Sequence, residues 1–267
     1  MEDIKIYVLN DNKCYNEKFE CEHGLSFYIE TKDSKFLFDS GETSVFLNNA
    51  EKMNIDLNEI DFIAISHGDY DHANGLKYLN VDKKDLYMHP DCFLYRKSKR
   101  TLKFDGLNQT KEELQEKFNL KECKMATKIK DKIYFLGQIE RQEKFFIGGL
   151  PMTNEQGEDY LHYDDSGVAI DTEKGLVVIT GCSHSGLCNI VETAKKVTGK
   201  SEVYAVVGGF HLKEIDEKTN EVINYLKENS VQKILIAHCV STVVCERFFE
   251  EFKDKATRVE TGKVYNI

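Results

Sequence analysis

The sequence predicts a layered α/β protein, and three observations favour this fold class. Short apolar runs with strand character alternate along the chain with segments whose apolar residues recur at helical spacing. The chain has 267 residues, which is enough to bury one large core or two small ones. It carries only two prolines, so proline-rich linkers and proline-driven disorder are excluded.

The predicted strands and helices follow one another in a regular order. Residues 25–29 and 35–39 are predicted to form a strand pair, because a polar turn at residues 31–34 separates them. The remaining strands are predicted at residues 4–9, 62–65, 86–88, 133–136, 167–170, 176–179, 203–207 and 233–236. Helices are predicted at residues 44–53, 111–118, 188–197, 218–228 and 243–252.

A polar segment interrupts this alternation. From about residue 92 to residue 130 the chain is rich in lysine and glutamate, and its helical periodicity is weak. We expect an insertion or lid there, with one helix near residues 111–118.

Composition and charge exclude several classes of function. The formal net charge is −10, which argues against general binding to nucleic acid. No apolar run approaches the roughly 18 residues that span a bilayer, and residues 1–5 do not resemble a secretion signal. The eight cysteines form no C-x-x-C pair, which excludes a zinc ribbon. We therefore expect a cytoplasmic protein that binds no membrane and keeps all eight cysteines reduced.

Histidines follow the ends of several predicted strands. His67, His184, His211 and His238 each come just after a strand-like run. In layered α/β folds, binding and catalytic residues gather at the carboxyl ends of strands. These four positions therefore indicate a functional site.

The densest group of polar residues lies at residues 66–76, a segment that we call the metal loop. His67 and Asp69 are two residues apart and can converge on one point, whereas the adjacent Asp71 and His72 can serve a second point. Imidazole nitrogen and carboxylate oxygen are ligands for zinc, iron or manganese. The alternative is a polar helix start, in which Asp69 or Asp71 is a capping residue. The density of these groups favours a site for two metal ions.

The metal loop resembles that of the metallo-β-lactamase superfamily, whose loop has the form H-x-H-x-D-H. The resemblance extends over nearly the whole chain, and within the superfamily it is to the dihydropterin-synthase-like group of metal-dependent hydrolases. Besides the metal loop, it is carried by residues 22–26, 38–41, 180–186, 208–212 and 237–239. It implies a four-layer αβ/βα sandwich that forms a single domain over residues 1–267.

The resemblance also implies a ligand shell for two divalent transition-metal ions, which are zinc, iron or manganese. Carried over by position, the shell comprises His67, Asp69, Asp71, His72, His184 and His238. Cys182 is an alternative ligand, because some branches of the family place a cysteine or an aspartate there. Asp69 stands where the family's loop has its second histidine, and a carboxylate favours iron or manganese over zinc.

Supporting roles follow from the same resemblance. Asp39 is expected to orient an imidazole, and His211 to bind substrate or shuttle a proton. His23 and His89 are weaker candidates for the site, and His162 is expected at the surface.

The predicted reaction is hydrolysis by metal-activated water, with Asp71 or His211 managing the proton. The resemblance suggests a small, phosphorylated or pterin-like substrate. Four of the five residues at 96–100 are basic, and they would hold an anionic group of that substrate if the insertion folds over the metals. The alternative for this run is a solvated face. Two other functions stay open: a di-iron redox protein on the same fold, and a metal-binding sensor without turnover.

Overall fold

A computed structural model describes residues 4–145 and 152–267 of the chain. These residues fold into two compact units. The first unit comprises residues 4–124, 152–164 and 260–267, and the second comprises residues 125–145 and 165–259. Each unit has its own seven-stranded sheet and its own hydrophobic core.

Strands and helices alternate along most of the chain, as the apolar pattern predicts. None of the helices in the described residues is long and apolar enough to cross a membrane. The α-helices are α1 (Val45–Lys52), α2 (Tyr70–Ala73), α3 (Lys111–Lys117), α4 (Leu187–Thr198), α5 (Glu217–Glu228) and α6 (Thr242–Phe252). The strands are β1 (Lys5–Asn10), β2 (Ser26–Glu30), β3 (Lys35–Phe38), β4 (Phe62–Ala64), β5 (Asp85–Met88), β6 (Lys97–Ser98), β7 (Asn119–Glu122), β8 (Thr127–Lys130), β9 (Ile133–Phe135), β10 (Met152–Thr153), β11 (Asp159–Tyr160), β12 (Gly167–Thr172), β13 (Gly175–Thr180), β14 (Val203–Gly208), β15 (Lys233–Ile236), β16 (Ala256–Arg258) and β17 (Val264–Asn266).

The main sheet of the first unit has the strand order β17–β1–β2–β3–β4–β5–β7. Strands β3, β4, β5 and β7 run parallel, so their carboxyl ends lie at the same edge of the sheet. Asp39 follows β3, the metal loop follows β4, and His89 follows β5. Helix α1 packs on the sheet through Phe46 and Ala50. This topology brings the metal loop and Asp39 to one edge of the sheet.

A small antiparallel sheet of the first unit has the order β11–β10–β6. Met152 pairs with Ser98 on one side and with Tyr160 on the other, so these three side chains share one face. All three are buried. The pairing places β6 and β11 on either side of β10 in one small sheet.

The sheet of the second unit has the order β16–β15–β14–β13–β12–β9–β8. Strands β13, β14, β15 and β16 run parallel. Helices α4, α5 and α6 pack with this sheet in one apolar core. The segments that carry His184, His211 and His238 follow β13, β14 and β15, so they leave the sheet at the same edge.

The predicted fold class is confirmed, because each unit is a sheet with helices packed on it. Strands β7 and β8 were not predicted. Each is an edge strand, and most of its residues are exposed or half-buried. An edge strand that buries neither face lacks the apolar run or alternation by which strands are recognised. Part of the polar 92–130 segment therefore extends the two sheets.

A disulfide bond joins Cys14 to Cys21. The expectation that all eight cysteines are free is therefore wrong. The loop between them brings the two Cα atoms to 5.7 Å, a separation that suits a disulfide. Among the described residues, the other cysteines are buried and form no disulfide: Cys92, Cys123, Cys182, Cys188, Cys239 and Cys245.

Candidate functional site

The metal loop places four polar side chains inside the first unit. His67, Asp69, Asp71 and His72 are each no more than 6 % exposed. Asp69 is the N-cap residue of α2, yet its side chain makes no capping hydrogen bond to any residue that the structure describes. Helix capping therefore does not explain the Asp69 carboxylate.

Gly68 allows the loop to pack tightly. A Cβ atom built at this position would lie 2.2 Å from the carbonyl oxygen of Cys92. The backbone N–H of Gly68 donates a hydrogen bond to Asp164 Oδ2 at 2.8 Å. The residue between His67 and Asp69 is thus held so close to neighbouring backbone that only glycine fits without a shift.

Asp39 orients the histidines of the metal loop. Its Oδ2 lies 2.7 Å from Nδ1 of His72, and its carboxylate accepts hydrogen bonds from the N–H and hydroxyl of Ser66. The Ser66 hydroxyl in turn lies 2.8 Å from Nδ1 of His67. Because Nδ1 of each ring is engaged in this way, Nε2 is the nitrogen that would coordinate a metal. The predicted contact of Asp39 with an imidazole is confirmed.

Atoms of the metal loop lie near the spacing expected for ligands of one ion. Nε2 of His67 is 3.4 Å from Oδ2 of Asp69, and Nε2 of His72 is 3.9 Å from Oδ2 of Asp71. Ligands about 2.0–2.2 Å from a tetrahedral ion lie roughly 3.3–3.6 Å from one another. The imidazole and carboxylate groups of this unit therefore fit divalent transition-metal ions.

Arg96 is buried and paired, and it does not lie at a solvent-exposed rim. Its side chain is 0 % exposed. Its Nη1 donates hydrogen bonds to Asp69 Oδ1 at 2.9 Å and to Asp164 Oδ2 at 2.8 Å. The guanidinium lies 4.5 Å from the centre of the Tyr160 ring. The expectation that Arg96 would hold the substrate is therefore wrong, because two buried carboxylates and an aromatic ring surround its charge.

His162 was expected at the surface, but it is only 1 % exposed. Its Nε2 lies 3.3 Å from Asp69 Oδ2, and its ring packs edge-on against Tyr160 with centroids 5.0 Å apart. Strand β11 ends at Tyr160, and His162 lies two residues beyond it with a backbone φ of 47°. Tyr160 and His162 are buried, whereas Leu161 between them is 49 % exposed.

Two carboxyl groups near Asp69 have pKa values that are shifted in opposite directions. Burial disfavours the charged form of Asp164, but Arg96 outweighs burial and lowers the pKa of Asp164 to about 2. Asp105 shows the opposite behaviour, because burial and then the charge of Asp69 raise its pKa to about 6. The carboxylates of this region thus repel one another, which is the environment that a bound cation would stabilise.

The second unit brings predicted ligands near the alternative ligand Cys182. Its Sγ lies within 4.8 Å of a ring nitrogen of His184, and within the same distance of a ring nitrogen of His238. All three side chains are buried. Thiolate and imidazole are both good ligands for zinc and other transition metals.

His211 lies beside His184, with the ring centroids 4.8 Å apart. Ser183, His211 and His238 have backbone φ angles of 59°, 50° and 49°. Residues other than glycine adopt this left-handed region at an energetic cost, and such residues cluster at functional sites. Strain at three segments that follow parallel strands supports the candidate site in this unit.

The two weaker candidates differ in their surroundings. His23 has a side chain that is 57 % exposed, and its Nε2 lies 3.3 Å from Oδ2 of Asp71. His89 is buried, its Nδ1 accepts a hydrogen bond from the N–H of Asp91, and burial lowers its pKa. Among the described residues, His89 belongs to no group of three potential metal ligands, whereas His23 does.

Sequence reasoning missed the contacts of His162, Arg96 and Asp164 with the metal loop. None of the three follows a predicted apolar run, so no local pattern marks them. One signal was available, because a carboxylate at position 69 in place of a histidine requires a cation nearby when it is buried. Only the pairing of β6, β10 and β11 identifies that cation as Arg96.

Comparison with known proteins gives concordant results. Residues 20–82 match the family model of the metallo-beta-lactamase superfamily. The chain is 35 % identical over 285 residues to the 7,8-dihydropterin-6-methyl-4-(beta-D-ribofuranosyl)-aminobenzene-5'-phosphate synthase of Methanocaldococcus jannaschii, covering 99 % of this chain and 97 % of that protein. An uncharacterized protein of the same organism is 32 % identical over 241 residues, covering 88 % of this chain and 90 % of that protein. A crystal structure described as a metal-dependent hydrolase of the beta-lactamase superfamily matches with a TM-score of 0.86 and 32 % identity, covering 99 % of each chain.

Proposed function

The chain belongs to the metallo-β-lactamase superfamily, and we propose that it is a metal-dependent hydrolase of a small anionic substrate. The observation that carries the proposal is the buried metal loop, whose His67 and His72 are oriented through Nδ1 by Ser66 and Asp39. Orientation by a carboxylate and a hydroxyl is typical of metal-binding histidines. The similar crystal structure described as a metal-dependent hydrolase supports the same reaction class.

We propose that the chain binds two divalent ions, which are zinc, iron or manganese. Bound ions supply Lewis acidity to the attacked group and lower the pKa of water toward neutrality. Cys182 is retained as an alternative ligand, since it lies close to two of the proposed ligands. The proposed ligands are His67, Asp69, Asp71, His72, His184 and His238.

Asp71 and His23 would move the proton that hydrolysis releases. Asp71 is buried, but His23 is largely exposed and lies 3.3 Å from it. A proton accepted by the Asp71 carboxylate can therefore pass to the His23 imidazole and then to solvent. In the second unit, His211 is the corresponding candidate because its ring lies beside that of His184.

The substrate we propose is phosphorylated and pterin-like. The name of the 35 % identical relative specifies a dihydropterin and a 5'-phosphate. On this chain, Lys97 and Lys99 provide positive charge next to the buried Arg96, and Lys99 is partly neutralised by Asp159. We therefore assign recognition of the anionic group to these lysines, with Arg96 reserved for Asp69 and Asp164.

A di-iron redox protein is the second candidate, and one observation favours it. Asp69 is a carboxylate at the position of a family histidine, and its Oδ2 faces the imidazoles of His67 and His162. Carboxylate-rich sites are typical of non-haem iron proteins. Aerobically purified protein with a visible absorption band and no esterase activity would support this candidate over hydrolysis.

The proposed function is tested by metal analysis followed by assays. Protein purified without added metal should contain one or two transition-metal ions per chain, and a phosphodiester should be hydrolysed. Chelation should abolish turnover and one specific divalent ion should restore it. His72→Ala should lose about half of the bound metal and most of the activity.

The matched control is His89→Ala, which removes another buried imidazole of the same unit. Turnover that survives chelation, or metal content unchanged in His72→Ala, would refute the proposal.

A further inference from the structure

We propose that His162 is a metal ligand that supplies the imidazole missing at position 69 of the metal loop. The inference rests on the proposed function, because it concerns the same metal-binding region. The ion would be a divalent transition metal held in the first unit by His67, Asp69 and His162. All three side chains are buried in that unit.

The separations between Asp69 and the two imidazoles suit ligands of one metal ion, and the contact of His162 with Asp69 is also within hydrogen-bonding distance. Asp69 Oδ2 lies 3.3 Å from Nε2 of His162 and 3.4 Å from Nε2 of His67. Charge-assisted hydrogen bonds between nitrogen and carboxylate oxygen are about 2.7–2.9 Å long. In the same unit, His72 and Asp39 make such a bond at 2.7 Å. The two longer separations match the roughly 3.3–3.6 Å expected between ligands of one tetrahedral ion.

Arg96 fixes which oxygen of Asp69 faces the imidazoles. Its Nη1 holds Oδ1, so Oδ2 is turned toward His162 and His67. The guanidinium is itself held by Asp164, and its Nη2 donates to the backbone carbonyls of residues 91 and 92. Arg96 is thus a positioning residue, because it binds Oδ1 of Asp69 and leaves Oδ2 to coordinate the ion.

The backbone at His162 is consistent with a site under functional constraint. Its φ angle is 47°, in the left-handed region that residues other than glycine rarely adopt. The Tyr160 ring packs against the imidazole and limits its rotation. Strained backbone at a buried polar residue indicates that the direction of the side chain is important.

The three side chains form a set of two histidines and one carboxylate. Such a set binds Fe²⁺ in many non-haem iron enzymes and Zn²⁺ in several hydrolases, and in both cases it leaves open positions on the ion. With His162 as a ligand, the ion has two nitrogen ligands even though position 69 of the metal loop is an aspartate. The departure of the metal loop from the family pattern is thereby compensated at a distant position in the chain.

The test uses His162→Gln in the full-length protein. Glutamine retains an amide N–H that can donate a hydrogen bond to Asp69, but it lacks the imidazole nitrogen that binds metal strongly. The matched control is His89→Gln. His89 is a buried histidine of the same unit, and among the described residues it belongs to no group of three potential metal ligands. Metal affinity is measured by competition with a chromophoric chelator, and the visible spectrum of Co²⁺-substituted protein reports the ligand set.

We expect His162→Gln to weaken metal binding by more than about tenfold, the smallest loss typical even for a residue that only supports a ligand. Its Co²⁺ spectrum should change, while His89→Gln should match the wild type in both measurements. A His162→Gln protein with wild-type affinity and spectrum would overturn the inference and leave the proposed function standing. Wild-type protein that binds no transition metal would instead overturn the proposed function, and this inference with it.

A second measurement uses the wild-type protein, so it does not depend on whether a variant folds. In crystals of metal-loaded wild-type protein, the anomalous signal of the ion should lie within about 2.2 Å of Nε2 of His162. An ion bound by His67 with His162 beyond coordination distance would overturn the inference.

Discussion

Arg96 and Asp69 form a buried ion pair, with Nη1 of the arginine 2.9 Å from Oδ1 of the aspartate. The same Nη1 lies 2.8 Å from Oδ2 of Asp164. One positive charge is therefore shared by two carboxylates, and the Arg96 side chain is 0 % exposed. Removing one partner from such a group leaves a buried charge without compensation. The metal loop thus depends on a residue that contacts no solvent.

Replacing Arg96 by methionine should destabilise the protein strongly. Methionine keeps much of the side-chain volume but leaves Asp69 and Asp164 to repel each other. We expect the free energy of unfolding to fall by about 3–5 kcal/mol, as for other broken buried ion pairs. Urea denaturation followed by circular dichroism measures the change.

The matched control for that variant is Lys99→Met. Lys99 pairs with Asp159, but the two side chains are 41 % and 72 % exposed. Exposed ion pairs contribute at most about 1 kcal/mol, so this variant should unfold close to the wild-type denaturant concentration. If both variants lose the same free energy of unfolding, the burial of Arg96 does not increase its contribution to stability.

Replacing Asp39 by asparagine should weaken metal binding without removing a proposed ligand. The amide group of asparagine has one acceptor oxygen, so it cannot serve both Ser66 and Nδ1 of His72 as the carboxylate does. We expect metal affinity to fall about 10–100-fold. Asp61→Asn is the control, since Asp61 accepts hydrogen bonds from Ser34 and Lys35 at the start of β3. Chelator competition that ranks the two variants equally would contradict the role of Asp39.

Thiol titration distinguishes the disulfide-bonded cysteines from those that form no disulfide. After unfolding without reductant, we expect six reactive thiols, because Cys14 and Cys21 are joined. Reduction before the assay should raise the count to the eight cysteines of the sequence. The double variant Cys14→Ser/Cys21→Ser should give six in both conditions. Eight thiols in unreduced wild-type protein would show that the pair is open under those conditions.

Reversing the charge of Lys97 and Lys99 should affect anionic substrates selectively. The double variant to glutamate should raise KM for a phosphorylated substrate more than for a neutral ester, because we propose that the two lysines attract the anionic group of the substrate. The selectivity should weaken as salt rises. Lys196→Glu/Lys200→Glu, on the second unit, changes the net charge equally and is the control. If both double variants raise KM alike, the run at residues 96–100 is only a solvated face.

Much of this protein follows from its sequence alone. The helices over residues 188–197 and 218–228 were predicted within one or two residues, because their apolar residues recur at helical spacing and are buried on one face. The positions of His67, His184 and His238 after strands were also predictable, since a strand ends where its apolar run ends. The contact of Asp39 with an imidazole was inferred from the family resemblance and is seen at His72.

The partners of Asp69 were decided only by the tertiary structure. Arg96 is 27 residues from Asp69 in the chain, and His162 is 93 residues away. Local periodicity carries no information about which distant segments pair, and the segments around Arg96 and His162 bury polar side chains instead of an apolar face. It is the antiparallel pairing of β6, β10 and β11 that brings these side chains to the metal loop. Because a buried charge is stable only with a partner at the right distance, the choice of partner depends on strand register, which the composition of each segment does not specify.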